Sequence, residues 1–353
     1  MKAAIGVLAI AVGGSLLAAA QPEPARFDAA HTRPLDVARA MAERYPSTPA
    51  MSYIPAMAWS GRLRLSRLTA DPQWADKAKA GMHPFLAGEK PVTSPQNSLA
   101  SLAGHIALAD VALAEGDRRS SELARAAADL ILPSAPDESV RFATGWTDDM
   151  YMAAGLLVRV AALTADPRYA RAAAHLLVAY AEKLQRPDGL FIHATNGPHA
   201  WGRGNGFASL GLADALLYLP SDAPERPRLL AIFRTHVAAL LKVQSADGSW
   251  RQVLDEPGSY QELTSTALFL STMARGVRLG WLDRGLAPAI DRAWAGILAR
   301  VGPDGTVRDV CSSTGAAPGK EHYLNRPITN GVDDRAGAMV LLAALELEEL
   351  QRR

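Results

Sequence analysis

The sequence predicts an all-α protein whose helices close into a toroid of six helical hairpins, an (α/α)6 barrel. Three observations favour this fold: Ala and Leu dominate with little strand-like alternation, two short phrases repeat, and one repeat spacing suits a hairpin plus a loop. An open solenoid of the same hairpins is the alternative. Closure is favoured because long, glycine-rich loops recur at the same end of each hairpin, where a rigid scaffold can gather functional groups.

Ten segments carry apolar residues at the three-to-four spacing of a helix. They span residues 37–44, 100–115, 120–132, 150–163, 167–184, 208–219, 225–244, 260–279, 286–301 and 335–351. Gly280 directly follows one segment, and Gly302 with Pro303 directly follows another. These residues are typical helix stops, so the ends of both segments are marked.

Two phrases recur along the chain. Leu-Thr-Ala-Asp-Pro occurs at 68–72 and 163–167, where Asp can cap a helix and Pro can occupy its first position. Asp-Gly turns begin at Asp188, Asp247 and Asp304, spaced by 59 and 57 residues, and a short extended run follows each one. This spacing fits one helical hairpin with a functional loop.

Composition limits the possible functions. A chain of 353 residues with 49% hydrophobic content can bury a large core, and we expect residues 21–353 to form a single domain. Lys plus Arg number 37 and Asp plus Glu number 36, without a basic run, so no nucleic-acid partner is expected. The single cysteine, Cys311, excludes an intrachain disulfide and a cysteine-based metal cluster, and fits a role as small core filler.

Residues 1–20 have the pattern of an export signal. Lys2 supplies the positive charge, residues 3–17 are apolar, and three alanines at 18–20 form a small-residue cleavage site. A membrane anchor is the alternative, although about 17 residues is the short limit for a span. We expect cleavage and a periplasmic or secreted protein with no membrane contact afterwards; the oligomeric state stays open.

The densest chemical pattern is Trp-Gly-Arg-Gly-Asn-Gly-Phe at 201–207, one short loop after Asp188 to His193. Aromatic faces stack on sugar rings, a guanidinium pairs a carboxylate through two bonds, and glycines let a backbone approach a ligand. The segment indicates a pocket for a small, flat, acidic, hydroxylated molecule. A glycine-rich loop with a buried Trp is the alternative.

An ordered set of motifs resembles the unsaturated rhamnogalacturonyl and unsaturated glucuronyl hydrolases, glycoside hydrolase families 105 and 88. The matching segments are 146–153, 189–193, 201–206, 250–255, 259–262 and 323–327, so the resemblance covers about residues 140–345. It implies an (α/α)6 barrel that removes a 4,5-unsaturated uronic acid from the non-reducing end of lyase-generated oligosaccharides. It also implies that neither a metal nor an organic cofactor is needed.

The resemblance implies that Asp148 is the general acid. In such enzymes an Asp protonates C4 of the enol ether, water adds at C5, and the resulting hemiketal opens and expels the rest of the sugar. Burial beside aromatic walls, for which Trp146 and Tyr151 are placed, favours a carboxyl group that waits in its neutral form. From the residues alone, Asp148 is also a candidate helix N-cap, a role that Asp149 can fill instead.

The same resemblance implies the substrate-binding residues. His193 contacts the sugar, Trp201 stacks on it and Arg203 pairs the uronate carboxylate. Asn205 either hydrogen-bonds a hydroxyl or holds a tight turn in a left-handed conformation. The other expected members are Trp146, His105, Tyr323, Asn325 and Arg326, the last three on a late loop that closes the cavity.

The sequence departs from the family pattern at two places. No carboxylate occurs in 96–105, where the family has a second Asp, so Asn97, Ser98 or His105 is expected to take its place. Phe207 stands where Trp is common. The substrate is therefore the least determined feature, and rhamnose next to the unsaturated sugar is our expectation.

Two other classes stay open. A different (α/α)6 carbohydrate enzyme, either a polysaccharide lyase or a sugar epimerase, would use histidines, and the chain offers His105, His193, His199 and His322. A non-catalytic oligosaccharide-binding protein would keep the pocket and lose the acid. The presence of Asp148 argues against this second class.

Overall fold

The computed structural model describes residues 27–28, 31–94, 96–134 and 139–353. The predicted export signal at 1–20 lies outside the described residues. The helices are α1 (Pro34–Arg44), α2 (Tyr53–Thr69), α3 (Gln73–Leu86), α4 (Leu99–Leu102), α5 (Ile106–Glu115), α6 (Arg118–Ile131), α7 (Asp148–Thr164), α8 (Pro167–Leu184), α9 (Gly202–Tyr218), α10 (Arg226–Lys242), α11 (Leu263–Arg278), α12 (Ala287–Leu298), α13 (Lys320–Leu324) and α14 (Asp334–Gln351). Short 3-10 turns cover Ala103–His105 and Arg284–Leu286.

Four short strands lie on the loops that lead into inner helices. β1 (Trp250–Arg251) pairs antiparallel with β2 (Gln261–Glu262), and β3 (Val307–Cys311) pairs antiparallel with β4 (Ile328–Gly331). β1 and β3 follow the second and third Asp-Gly turns, so the extended runs expected there are confirmed.

Six helices form a closed inner ring. α2, α5, α7, α9, α11 and α14 each pack against the next, and α14 packs back against α2. α3, α6, α8, α10 and α12 each cover the inner helix that precedes them, and α1 covers α14. The predicted (α/α)6 barrel is therefore confirmed, with one hairpin completed by the first and last long helices of the chain.

The two rings differ in their burial pattern. The outer helix α8 buries one stripe, which includes Tyr169, Ala173, Leu177 and Tyr180, and exposes the rest. The inner helix α11 is buried at every position from Leu263 to Val277. The burial pattern of α8 therefore follows the three-to-four period, whereas that of α11 does not.

Three helices, α2, α3 and the short α13, fall where the periodicity predicted none. α2 is an inner helix and buries even Arg62, whose Nε donates to the Ala42 carbonyl at 2.7 Å, so polar residues in its sequence do not mark an exposed face. The repeated phrase nevertheless marked the start of α3 and of α8. Asp71 accepts from the Gln73 amide at 3.1 Å, and Asp166 accepts from the Arg168 amide at 2.9 Å.

The glycine-rich segment is helix and not loop. α9 begins at Gly202, although the periodicity placed its start at 208. A Cβ at Gly204 would lie 2.5 Å from Thr147 Oγ1, and a Cβ at Gly211 would lie 2.1 Å from the Met150 carbonyl oxygen. These glycines let α9 approach α7 closely, so the loop interpretation was wrong and the close approach is to a neighbouring helix.

An alternating series of charges runs around the inner ring at the end away from the strands; we call it the ionic chain. Its members, in ring order, are Arg64, Asp110, Arg159, Asp214, Arg275 and Glu346, one from each inner helix. The series begins at Asp110, continues through the members in ring order to Glu346, and ends at Arg64. In each pair the nitrogen and oxygen atoms lie 2.6–2.8 Å apart. Burial alone would raise the pKa values of Asp214 and Glu346, but the facing arginines hold both below their ordinary range.

We expect Glu346→Gln to destabilise the fold strongly. Glu346 faces Arg64, Arg275 and Arg278, and its loss leaves buried guanidinium groups without a counter-charge. Breaking a buried pair in this way costs about 3–5 kcal/mol of unfolding free energy, which urea titration at neutral pH measures.

The matched control is Glu122→Gln, which breaks the exposed pair of Glu122 with Arg118 and should leave stability nearly unchanged. The contribution of Glu346 should be fully present above its ordinary pKa of 4.5 and be lost as the pH falls through the lowered value. Equal stabilities for the two variants would contradict a structural role for the ionic chain.

Candidate active site

A cavity of about 260 Å³ lies among the amino-terminal ends of the inner helices. The loops from outer to inner helices surround it, as the recurrence of long loops at one end predicted. Its lining consists of Tyr53, Ser98, Leu99, Ala100, Phe142, Thr144, Trp146, Asp148, Asp149, Met152, Trp201, Arg203, Ser313, Thr314 and Arg335. The cavity therefore offers a mostly apolar wall with two carboxyl groups and two guanidinium groups.

Asp148 is the first residue of α7, and its side chain is 13% exposed. Its Oδ2 atom is buried without a hydrogen-bond partner among the described residues. His193 Nε2 lies 3.4 Å from this oxygen, which is longer than an ordinary hydrogen bond. Thr147 occupies the N-cap position of α7. The N-cap interpretation of Asp148 is therefore wrong, and its carboxyl group is available for chemistry.

Asp149 is engaged in structure. Its Oδ2 accepts from the amides of Thr144 and Gly145 at 2.8 and 2.9 Å and from the Tyr180 hydroxyl at 2.7 Å, while Oδ1 accepts from Thr144 Oγ1 at 3.0 Å. Burial raises the pKa of Asp149, and the neighbouring charge of Asp148 adds to the rise, while these hydrogen bonds oppose it. Asp149 thus fixes the loop that carries Trp146.

His193 is fully buried between aromatic rings. The ring centroids of Trp201 and Trp146 lie 4.7 and 5.2 Å from its own. Its Nδ1 lies 3.0 Å from the Tyr323 hydroxyl oxygen, and its Nε2 has no hydrogen-bond partner among the described residues. One nitrogen is therefore anchored from behind, and the other faces Asp148.

Arg203 projects from the first turn of α9 and is 3% exposed. Its Nη1 donates to the Cys311 carbonyl at 2.9 Å and contacts Thr264 Oγ1 at 3.4 Å. The guanidinium carbon lies 5.0 Å from the centre of the Trp201 ring. This anchoring leaves the guanidinium fixed at the cavity wall beside the aromatic floor.

The structure places Asn205 outside the cavity lining. It lies inside α9, so the left-handed turn expected there is wrong. Its Oδ1 accepts from the Phe191 amide at 2.8 Å, and its Nδ2 donates to the carbonyls of Phe191 and Trp201 at 2.8 and 3.0 Å. With its amide engaged by buried backbone, Asn205 holds the 190–193 run against α9 and has no group left for a sugar hydroxyl.

The expected binding residues His105, His193, Tyr323 and Asn325 also lie outside the cavity lining. His105 is 1% exposed, its Nδ1 contacts the Leu102 carbonyl at 3.0 Å, and burial lowers its pKa to about 4. Tyr323 is fully buried behind His193. Asn325 is exposed at the end of α13. His105 is therefore kept from the cavity by its burial in the core, Tyr323 by its place behind His193, and Asn325 by its exposure to solvent.

The lining residues that escaped the sequence reasoning include Tyr53, Leu99 and Arg335. Of the candidates to replace the family's second Asp, only Ser98 lines the cavity, next to Leu99. A regular spacing could have revealed them, because Tyr53, Leu99 and Arg335 each lie eleven residues before a member of the ionic chain. Asp148 likewise lies eleven residues before Arg159, and Arg203 lies eleven residues before Asp214.

The described residues contain no group of three or more His, Cys, Asp or Glu side chains that could hold a metal ion. Within the same residues, no helix is long and apolar enough to cross a membrane.

Residues 29–351 match the sequence pattern of Glycosyl Hydrolase Family 88. The chain belongs to this family. The resemblance to the family of the unsaturated uronyl hydrolases is therefore confirmed.

Two curated relatives are similar over part of their length. An unsaturated 3S-rhamnoglycuronyl hydrolase from Alteromonas is 28% identical over 175 residues, covering 46% of this chain and 42% of that protein. An unsaturated rhamnogalacturonyl hydrolase from Bacillus subtilis is 26% identical over 190 residues, covering 52% of this chain and 54% of that protein. The chain thus matches about half the length of these relatives.

A solved structure supports the fold of this family 88 chain. A possible member of family 105 from Klebsiella pneumoniae superposes with a TM-score of 0.82 at 20% identity, covering 94% of this chain and 96% of that one. At this identity the likeness supports the (α/α)6 barrel and carries no residue roles.

We expect Asn205→Ala to destabilise the fold. The substitution leaves the buried amide and the carbonyl of Phe191 without partners, and each such group costs about 1–3 kcal/mol. The Trp201 carbonyl keeps the backbone amide of residue 205. Urea unfolding should show a loss of at least about 2 kcal/mol. The control Asn325→Ala should change it by less than about 0.5 kcal/mol. A stable Asn205→Ala protein with impaired substrate binding would instead return Asn205 to the site.

Proposed function

We propose that the protein removes a 4,5-unsaturated uronic acid from the non-reducing end of lyase-generated oligosaccharides. The observation that carries the proposal is Asp148 Oδ2, a buried carboxyl oxygen with no hydrogen-bond partner among the described residues, at the wall of a small aromatic cavity. Orphaned buried polar atoms are costly and uncommon. A substrate that takes a proton from this carboxyl would give the atom its missing partner.

The proposed chemistry begins with proton transfer from Asp148 to C4 of the enol ether. Positive charge then develops at C5 and the ring oxygen, and water adds at C5. The resulting hemiketal opens and expels the remaining sugar. The new Asp148 carboxylate can take up a proton from the attacking water, so the same group serves as acid and then as base.

Arg203 and Trp201 form the proposed subsite for the acidic sugar. Trp201 supplies a flat wall, and the guanidinium of Arg203 beside it can pair the uronate carboxylate. A cavity of about 260 Å³ is smaller than the roughly 300–1,000 Å³ typical of sites for drug-sized ligands. This size supports entry of one terminal ring and not of an internal segment of a chain.

The proposed substrate class is an unsaturated uronate linked to rhamnose. Both curated relatives carry rhamnose in their names, as rhamnoglycuronyl and rhamnogalacturonyl hydrolases. Oligosaccharides from lyase-treated ulvan and from lyase-treated pectin are the two panels that distinguish these linkages.

We expect Asp148→Asn to reduce turnover by about 10²–10⁴-fold, since the amide is nearly isosteric and delivers no proton. The assay follows the ultraviolet absorbance of the conjugated double bond, which hydration removes. The matched control is the adjacent Asp149→Asn, which should affect stability more than turnover because Asp149 is held by backbone and hydroxyl donors. An Asp148→Asn enzyme that kept more than about a tenth of wild-type activity would refute the assignment.

The same assay separates the competing classes. A polysaccharide lyase acting on intact polymer would raise the absorbance. An epimerase or a simple binding protein would leave it unchanged with both oligosaccharide panels. Either result for the wild-type protein would overturn the proposed hydrolysis.

We expect Arg203→Ala to lower kcat/KM by a factor of tens or more, mainly through KM. Removing the charged partner of a desolvated carboxylate costs about 2–5 kcal/mol. Arg203→Lys should restore the activity only in part, because an ammonium group lacks the planar fork. Calorimetry with an unsaturated uronate checks this directly, and wild-type affinity in the Ala variant would exclude Arg203 from binding.

A further inference from the structure

The Tyr323 hydroxyl lies behind the site and not in it. Tyr323 belongs to α13, is fully buried and does not line the cavity. The Ala317 amide donates to its hydroxyl oxygen at 3.3 Å, and His193 Nδ1 lies 3.0 Å from the same oxygen. A Cβ at Gly197 would come within 2.4 Å of this oxygen, so the hydroxyl is tightly enclosed.

The direction of these hydrogen bonds follows from the partners. An amide only donates, so the Tyr323 oxygen accepts from Ala317 and keeps its own hydrogen to give away. Among the described residues, His193 Nδ1 is the other hydrogen-bonding atom in contact with that hydroxyl, so the buried O–H would have no acceptor if Nδ1 carried the ring proton. Burial raises the pKa of Tyr323, so the hydroxyl retains its proton at neutral pH. His193 Nδ1 therefore accepts, and in the neutral ring the proton must sit on Nε2.

We propose that Tyr323 is a positioning residue that fixes His193 in the Nε2-protonated tautomer, with that N–H directed at Asp148. The proposal rests on the function proposed above, in which Asp148 is the acid. It assigns to Tyr323 a task other than the sugar contact or loop closure that the sequence suggested.

The geometry suits a contact that strengthens during the reaction. In the structure His193 Nε2 and Asp148 Oδ2 are 3.4 Å apart, and neither atom has a hydrogen-bond partner among the described residues. As Asp148 transfers its proton to C4, negative charge grows on the carboxyl group. A fixed N–H donor pointing at this charge stabilises the transition state more than the ground state and so contributes to kcat. The opposite tautomer would present a lone pair to the same charge.

The tautomer can be observed without substrate. Nitrogen-15 NMR of histidine-labelled protein, at a pH where His193 is neutral, separates protonated from unprotonated ring nitrogens, and His193→Gln identifies the signals. We expect Nε2 protonated and Nδ1 unprotonated in the wild type, and a shift toward the Nδ1-protonated form in Tyr323→Phe. A wild-type ring protonated on Nδ1, or an unchanged tautomer in Tyr323→Phe, would overturn the proposal.

The control variant is Tyr180→Phe. It also removes a buried hydroxyl that donates to a site residue, but that residue is Asp149 and not His193. The His193 signals should therefore keep their wild-type tautomer in Tyr180→Phe. A tautomer shift of equal size in both variants would mean that His193 responds to general loosening and would contradict a specific role for Tyr323.

A double-mutant cycle then tests whether Tyr323 acts through His193. Tyr323→Phe should lower kcat about tenfold, the scale of one lost hydrogen bond, with KM within about twofold. In the His193→Gln background the same change should cost nothing further. Equal losses in both backgrounds would refute the proposal. Absence of wild-type turnover on both oligosaccharide panels would refute the proposed function instead and leave the NMR result standing.

Discussion

The alternating ionic chain is the constraint on which the geometry of the barrel depends. Six charged side chains, one from each inner helix, pair in ring order, and each pairs only if neighbouring helices hold one axial register. Eleven residues are about three helical turns, so the residue eleven positions earlier projects from nearly the same face, roughly 16 Å away. Asp148 lies at this distance from Arg159 on α7, and Arg203 lies at this distance from Asp214 on α9. The register that satisfies buried charges at one end thus sets the positions of cavity residues at the other.

Close packing of α7 against α9 refines the site within this register. Gly204 and Gly211 bring the two backbones together where any side chain would collide with Thr147 or Met150. Asp148 opens one of these helices, and Arg203 lies in the first turn of the other, so both groups reach the same cavity. Adjacent carboxylates then take different tasks, since backbone and hydroxyl donors hold Asp149 while Asp148 keeps a free oxygen.

The sequence predicted the barrel, the loop-rich end, and a cavity holding Asp148, Trp146, Trp201 and Arg203, because apolar spacing, turn motifs and short ordered motifs are local patterns. It did not predict α2, in which the burial of Arg62 breaks the match between polar residues and exposed positions. Local sequence patterns also could not distinguish side chains that line the cavity from side chains that hold those residues in place. The polar atoms of Asn205 meet backbone from a segment fourteen residues away, and Tyr323 meets a ring 130 residues away. Such partners are fixed by tertiary packing alone.

The absence of a second carboxylate from residues 96–105 sharpens what Asp148 must do in the proposed reaction. The corresponding wall is Ser98 with the buried Leu99, and Leu99 stands eleven residues before Asp110 of the ionic chain, at the place where other inner helices present polar cavity groups. Of the two carboxyl groups lining the described cavity, Asp149 has its oxygens engaged. Proton delivery to C4 and proton removal from water therefore both fall to Asp148. A donor such as His193 that stabilises its charged form between these two steps becomes more important than in a site where two acids share the work.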